Sequence, residues 1–286
     1  MLRQMKLFRK KITRVGFPRF KAGSVVVLAL MFGAGQAPAR AGQKSEPLTP
    51  MQREIEHQQV RLKSEDIEQR RDALMRLGGL KRPDASRAAA AGLADIAPIV
   101  RASATHAILS LPSAEAATLL IPLLQDKLEF VRREAADALG KTRSRTASAP
   151  LTGVLLGDKE ISVRGAAAAA LGEIGDESAV EALSQVLAGQ SQLKKKAKAG
   201  PDAFVRRAAA RSLGQIKSRA AVGVLITTLA NDSIDIDVRR EAATALGLIG
   251  DTSAGPALQA ASASSDPYLS EAARGALRRL RLAPRN

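Results

Sequence analysis

Apolar and polar positions along this chain repeat as a ten-residue pattern. Residues 131–140 and 238–247 read Val-Arg-Arg-Glu-Ala-Ala-x-Ala-Leu-Gly in both copies and differ only at Asp137 against Thr244. Residues 163–172 and 205–214 follow the same pattern, and weaker copies start at Gln69, Val100 and Leu269. The starts at 69, 100, 131, 163, 205, 238 and 269 are spaced by 31, 31, 32, 42, 33 and 31 residues. A fixed period of this length is the mark of a repeat array.

Each column has a physical reading. Position 1 is mostly Val or Leu. Position 5 is Ala in all seven copies (Ala73, Ala104, Ala135, Ala167, Ala209, Ala242, Ala273), and position 9 is Leu or Ile. Position 12 is usually aliphatic, as at Leu80, Leu111, Ile174, Ile216, Ile249 and Leu280. Offsets of 4, 8 and 11 fall on one face of an α-helix. An invariant Ala predicts a neighbouring helix too close for a longer side chain. Gly at position 10 (Gly78, Gly140, Gly172, Gly214, Gly247) is expected to loosen or end the helix.

Between these helices lie shorter amphipathic stretches such as 178–187 and 219–229. Each is followed by a polar turn with an acid: Asp95, Asp126, Asp158, Asp232 or Asp266. Every unit therefore reads as helix A, turn, helix B, turn. One pair cannot bury its apolar face alone, so the pairs must stack. The array begins at Thr49-Pro50, where Thr49 caps, Pro50 takes the first helical position and Gln52 completes a capping box. It ends where Leu277, Leu280 and Leu282 interleave with Arg278, Arg279 and Arg281, as suits a terminal repeat with a wet outer face.

The Val-Arg-x-x-Ala-x-x-x-Leu-Gly-x-Ile-Gly-Asp pattern, clearest at 163–176, resembles the short bacterial HEAT-like repeats, among them the phycobilisome-lyase type. The resemblance covers nearly all of residues 49–282. It implies an all-α fold, a right-handed α-solenoid of about seven helix pairs. The aromatic and Thr-Pro-Leu-His signatures of tetratricopeptide and ankyrin arrays are absent.

Ahead of the array, residues 1–41 read as an export signal. They carry nine Lys or Arg and no acid, then an apolar run from Ala22 to Ala34 and small residues up to Ala41. Thirteen apolar residues are too few to span a hydrocarbon core of about 30 Å, but they suit a signal h-region. Ala37-Pro38-Ala39 and Ala39-Arg40-Ala41 both fit a cleavage site; cleavage is expected after Ala41, with the earlier site as the alternative, residues 42–48 form a linker, and the protein is expected to be periplasmic. An uncleaved N-terminal anchor is the alternative.

Charge changes the picture only locally. The whole chain has 44 Lys plus Arg against 28 Asp plus Glu, a formal +16. Beyond the leader the excess is +7: Lys194, Lys195, Lys196 and Lys198 supply +4, the tail from Glu271 onward another +4, and everything else sums to −1. The lysines lie in a Lys-rich insertion at 189–201, the one break in the period. Such insertions map to loops on one face of a solenoid, often the binding face.

The arginines at position 2 (Arg70, Arg101, Arg132, Arg164, Arg206, Arg239) resemble the structural ladder of HEAT-like arrays, pairing with turn acids. Asp126 and Asp158 stand six residues before Arg132 and Arg164, which suits that role. At position 3, Arg71, Arg133, Arg207 and Arg240 point away from the apolar face, and Arg211 joins them from position 7. They are expected to line a partly basic groove able to fork onto carboxylates or phosphates.

Several functions are excluded or disfavoured. With no Cys there is no thiolate metal site and no cysteine nucleophile, and with only His57 and His106 a histidine-rich metal cage is impossible. No catalytic residue, cofactor or metal is assigned. Deoxyhypusine hydroxylase, a HEAT-repeat enzyme, holds iron with His-Glu pairs; here the one neighbouring pair, Glu56-His57, is reversed and unrepeated. Phe130, Phe204 and Tyr268 each stand just before position 1, which reads as packing and not as a base-stacking platform. The expectation is a monomeric, non-catalytic scaffold or adaptor that binds an acidic or extended segment of another protein. A peripheral binder of anionic membrane and an accessory subunit of a lyase-type enzyme are the alternatives; nucleic acid is disfavoured.

Overall fold

A computed structural model describes residues 47–190 and 203–282. The leader lies outside the described residues, as does the Lys-rich insertion apart from Gly189 and Gln190. Among the described residues there are fourteen α-helices and no strand. They form seven A/B pairs: α1 (Pro50–Arg61) with α2 (Ile67–Gly79), α3 (Pro83–Ala89) with α4 (Pro98–Ala107), and α5 (Ser113–Leu120) with α6 (Glu129–Thr142). The series continues with α7 (Ser148–Gly157) and α8 (Ile161–Ile174), α9 (Val180–Leu187) and α10 (Ala203–Ile216), α11 (Val222–Ala230) and α12 (Ile236–Ile249), then α13 (Gly255–Ala261) and α14 (Pro267–Leu282). This is an α-solenoid. No helix among the described residues is long and apolar enough to cross a membrane.

Each B helix packs against the B helices before and after it and against its own A partner, while successive A helices meet less extensively. The core follows the columns. All seven position-5 alanines are fully buried, as are the position-9 side chains from Leu77 to Leu246. Gln69, at position 1 of the first unit, is exposed. Thr49 accepts from the Gln52 amide and the Gln52 side chain accepts from the Thr49 amide, completing the expected capping box.

Gly at position 10 does not end the helix. α6, α8, α10 and α12 each run two residues past it. Its reason is lateral: a Cβ on Gly140 would sit 2.8 Å from the Ala170 Cα, one on Gly214 2.8 Å from that of Ala245, and one on Gly247 2.7 Å from that of Ala276. Each of these alanines is position 8 of the next B helix. Backbones this close admit no side chain on one of the pair. The real stop comes three residues later, where Lys81, Arg143, Gly175, Lys217 and Gly250 all take positive φ. That left-handed turn frees the chain to leave the helix axis.

The junction between the second and third units is the exception. α4 stops at Ala107 and Leu109 stands where five other units carry Gly, so no glycine crossing forms there, whereas at the fourth unit Gly172 faces Ser212 in place of Ala.

Candidate functional site

The position-2 arginines build the frame on which the exposed B face rests. Arg70 donates from Nε and Nη2 to the Asp95 carboxylate at 2.7 and 2.9 Å, Arg101 to Asp126 at 2.7 and 3.0 Å, and Arg132 to Asp158 at 2.6 and 3.0 Å. These acids belong to the following repeat, 25 or 26 residues onward. The six-residue spacing expected from the sequence is used differently. Arg132 reaches Asp126, and Arg164 reaches Asp158, through the backbone carbonyl at 2.9 Å, not the carboxylate. A turn such as 126–128 is thus clamped twice, its carboxylate by the preceding arginine and its carbonyl by its own. Burial pushes Asp95, Asp126 and Asp158 up, but the guanidinium bonds and the amides of Ala97, Leu128 and Glu160 more than offset it and leave each below the ordinary carboxylate range.

In the sixth unit the roles shift by one residue. Arg240, at position 3, takes the bidentate bond to Asp266 at 3.1 and 2.7 Å and lies 5.0 Å from the centre of the Tyr268 ring. Arg239, at position 2, instead meets Asp232 at 2.7 Å and the Leu229 carbonyl at 3.0 Å.

The rest of the expected basic column is neutralised. Arg71 pairs with Glu68 at 2.9 Å, Arg133 with Glu134 at 3.0 Å, Arg207 with Asp237 at 3.9 Å, and Arg211 with Glu241. The arginines of this face are therefore held in an ordered pattern of mixed charge. Lys194, Lys195, Lys196 and Lys198 lie outside the described residues. The expected aromatic packing is uneven: Phe130 lies against the core, the half-exposed Phe204 ring covers Gly165, and Tyr268 is exposed over Arg240. A Cβ on Gly165 would fall 2.2 Å from the Phe204 ring, which explains a glycine at that position 3.

A second lateral relation links position 7 of one B helix to position 4 of the next. Arg211 meets Glu241 in this way, and His106 meets Glu134, with Nε2 2.9 Å from Oε2. Asp137, one turn beyond Glu134 on α6, brings Oδ2 to 4.0 Å from the same nitrogen and is itself held by Lys141 at 2.5 Å. Burial raises Glu134, but hydrogen bonds from His106 and Arg133 more than offset this and leave it below its ordinary range. His106 also borders a shallow pocket of about 340 Å³ with Leu74, Met75, Gly78 and Ser103. Residue counting passed over this mixed cluster. Its signal was a spacing of 28 residues, one repeat less three, between a His and a carboxylate in adjacent B helices.

Comparison with known proteins fits this architecture. The family model for HEAT repeats matches residues 129–197 and 190–278, together more than half of the chain. The chain belongs to the HEAT-repeat family. Among solved structures, this HEAT-repeat chain is similar to an engineered protein at 23% identity and a TM-score of 0.50, over 79% of this chain and 68% of that one. It is also similar to the complex of CpcE and CpcF of phycocyanin lyase from Nostoc sp. PCC7120 (24% identity, TM-score 0.46, 87% and 98% covered). Human deoxyhypusine hydroxylase in complex with glycerol is a third (22% identity, TM-score 0.39, 81% and 97% covered). No curated protein matches the sequence. Likeness at this level of identity concerns the fold alone.

Proposed function

We propose that this HEAT-repeat solenoid is a non-catalytic scaffold or adaptor of the cell envelope that binds an extended, acid-bearing segment of another protein along its row of B helices. The observation that carries the reading is the order of that row. Buried Arg–Asp clamps at the first three junctions and Gly–Ala crossings at four of the six hold neighbouring B helices in register. Their outer positions stay open: the Met75 and Arg211 side chains are more than half exposed. Fixed, alternating charges on such a row give a partner its register and direction more than bulk attraction. The Lys-rich insertion and the basic, acid-free leader support the acidic partner and the envelope setting respectively.

The non-catalytic part of the reading is supported by His106. The one hydroxyl in its pocket, Ser103 Oγ, donates to the Ile99 carbonyl at 2.9 Å and so is not poised as a nucleophile.

Two measurements test this. Expression of the full chain in a bacterial host should give a periplasmic species whose intact mass begins at Gly42 or Arg40; a full-length cytosolic species would remove the envelope setting. Photocrosslinkers placed at Met75, Arg133 or Arg211 should capture one discrete partner. The same groups at Thr118 and Gln259, exposed on the A side, should not. Equal capture from both sides would refute the B-face assignment.

A further inference from the structure

We propose that His106, Glu134 and Asp137 bind one divalent transition-metal ion of the zinc class at the junction between the second and third repeats, which goes beyond the scaffold reading. The three groups come from two helices. His106 sits at position 7 of α4, and Glu134 and Asp137 sit three residues apart on one face of α6. One nitrogen and two carboxylate oxygens all lie within 4.8 Å of one another, with His106 Nε2 2.9 Å from Glu134 Oε2 and 4.0 Å from Asp137 Oδ2. Ligands about 2.1 Å from a tetrahedral ion stand about 3.4 Å apart, midway between those two distances.

The same lattice position in the fifth and sixth repeats shows what is different here. There Arg211, a permanent cation with no lone pair, closes the link to Glu241 as a simple ion pair. His106 replaces that cation with an imidazole, which offers a metal a lone pair. A neutral ring has at most one N–H at Nε2 to give, and two carboxylate oxygens converge on that atom. An ion at their centre would satisfy all three.

The surroundings suit the role. Arg133 holds Glu134 through Oε1 and leaves Oε2 directed at His106, as an outer-shell group orients a ligand. Lys141, the competitor at Asp137, is a half-exposed i,i+4 partner whose pairing is weak in water. All three ligand side chains are partly exposed, so solvent reaches the remaining coordination positions. One imidazole with two carboxylates selects zinc, manganese or iron(II) over the all-oxygen preference of magnesium and calcium. Leu109 leaves this junction without a glycine crossing, so an ion would supply a lateral tie that the junctions on either side make with backbone contact at Gly78–Ala107 and Gly140–Ala170.

Isothermal titration of zinc chloride into the tag-free, chelator-stripped full chain should show one saturable equivalent, with the thermal midpoint rising as the site fills. His106→Gln, Glu134→Gln and Asp137→Asn should each weaken binding at least tenfold, and His57→Gln should not change it. Lys141→Met should tighten it by removing the competitor. The proposal is overturned if no saturable binding is seen, if the three ligand variants bind as the parent does, or if magnesium binds with equal affinity.

Discussion

Arg132 and Asp158 meet across the junction of the third and fourth repeats, Nε to Oδ2 at 2.6 Å and Nη2 to Oδ1 at 3.0 Å, with both side chains more than nine-tenths buried. The third guanidinium nitrogen holds the Asp126 carbonyl at 2.9 Å. One arginine thus fixes its own turn and the next. Asp158→Asn should cost about 2–4 kcal/mol, because it leaves a buried cation without its counter-charge. Glu115→Gln, which breaks the exposed inter-repeat pair with Arg87, should change stability by no more than about 0.5 kcal/mol. Urea unfolding of the two variants tests the contrast; equal losses would contradict it.

The same clamps set the acid limit. Asp95, Asp126 and Asp158 are held below the ordinary carboxylate range, so the folded chain binds fewer protons than the unfolded chain at low pH. Their contribution is fully present above the unfolded value of about 3.9 and is lost as pH falls through the folded values. Unfolding free energy should be flat with respect to these groups from pH 7 to about 5 and drop below pH 4. Asp158→Asn should make that drop shallower.

Glycine at position 10 separates two opposing effects. On helix propensity alone, Ala is better than Gly by about 1 kcal/mol. At Gly140 the added methyl would meet the Ala170 backbone, which cannot yield as a side chain tip would. Gly140→Ala should therefore destabilise by about 1–3 kcal/mol. Gly153, within α7, has open space where its Cβ would stand, and Gly153→Ala should stabilise by up to about 1 kcal/mol. Thermal unfolding of the pair reads the opposite signs directly.

Lys217 closes α10 with φ at +60° where Gly175 and Gly250 close α8 and α12. The left-handed conformation strains a residue with a Cβ by about 1–2 kcal/mol, part of which glycine returns as unfolded-chain entropy. Lys217→Gly should therefore raise stability by about 0.5–1 kcal/mol. A lower thermal midpoint would count against it.

The sequence by itself determined the seven helix pairs and their buried face, because offsets of 4, 8 and 11 residues lie on one side of any α-helix. The burial of every position-5 alanine follows from that geometry, and so does the fully formed capping box at Thr49 and Gln52. Tertiary structure alone decided what the polar and small residues do. Gly140 is a crossing point and not a terminator, Arg132 chooses an acid 26 residues away over one six residues away, and the position-3 arginines are each neutralised. His106 finds Glu134 and Asp137 only because α4 and α6 lie side by side with a particular stagger. A residue's place within its own helix is set by local periodicity. Its partner on the next helix depends on how far one backbone slides past another, and that distance is fixed by packing, not by any spacing along the chain.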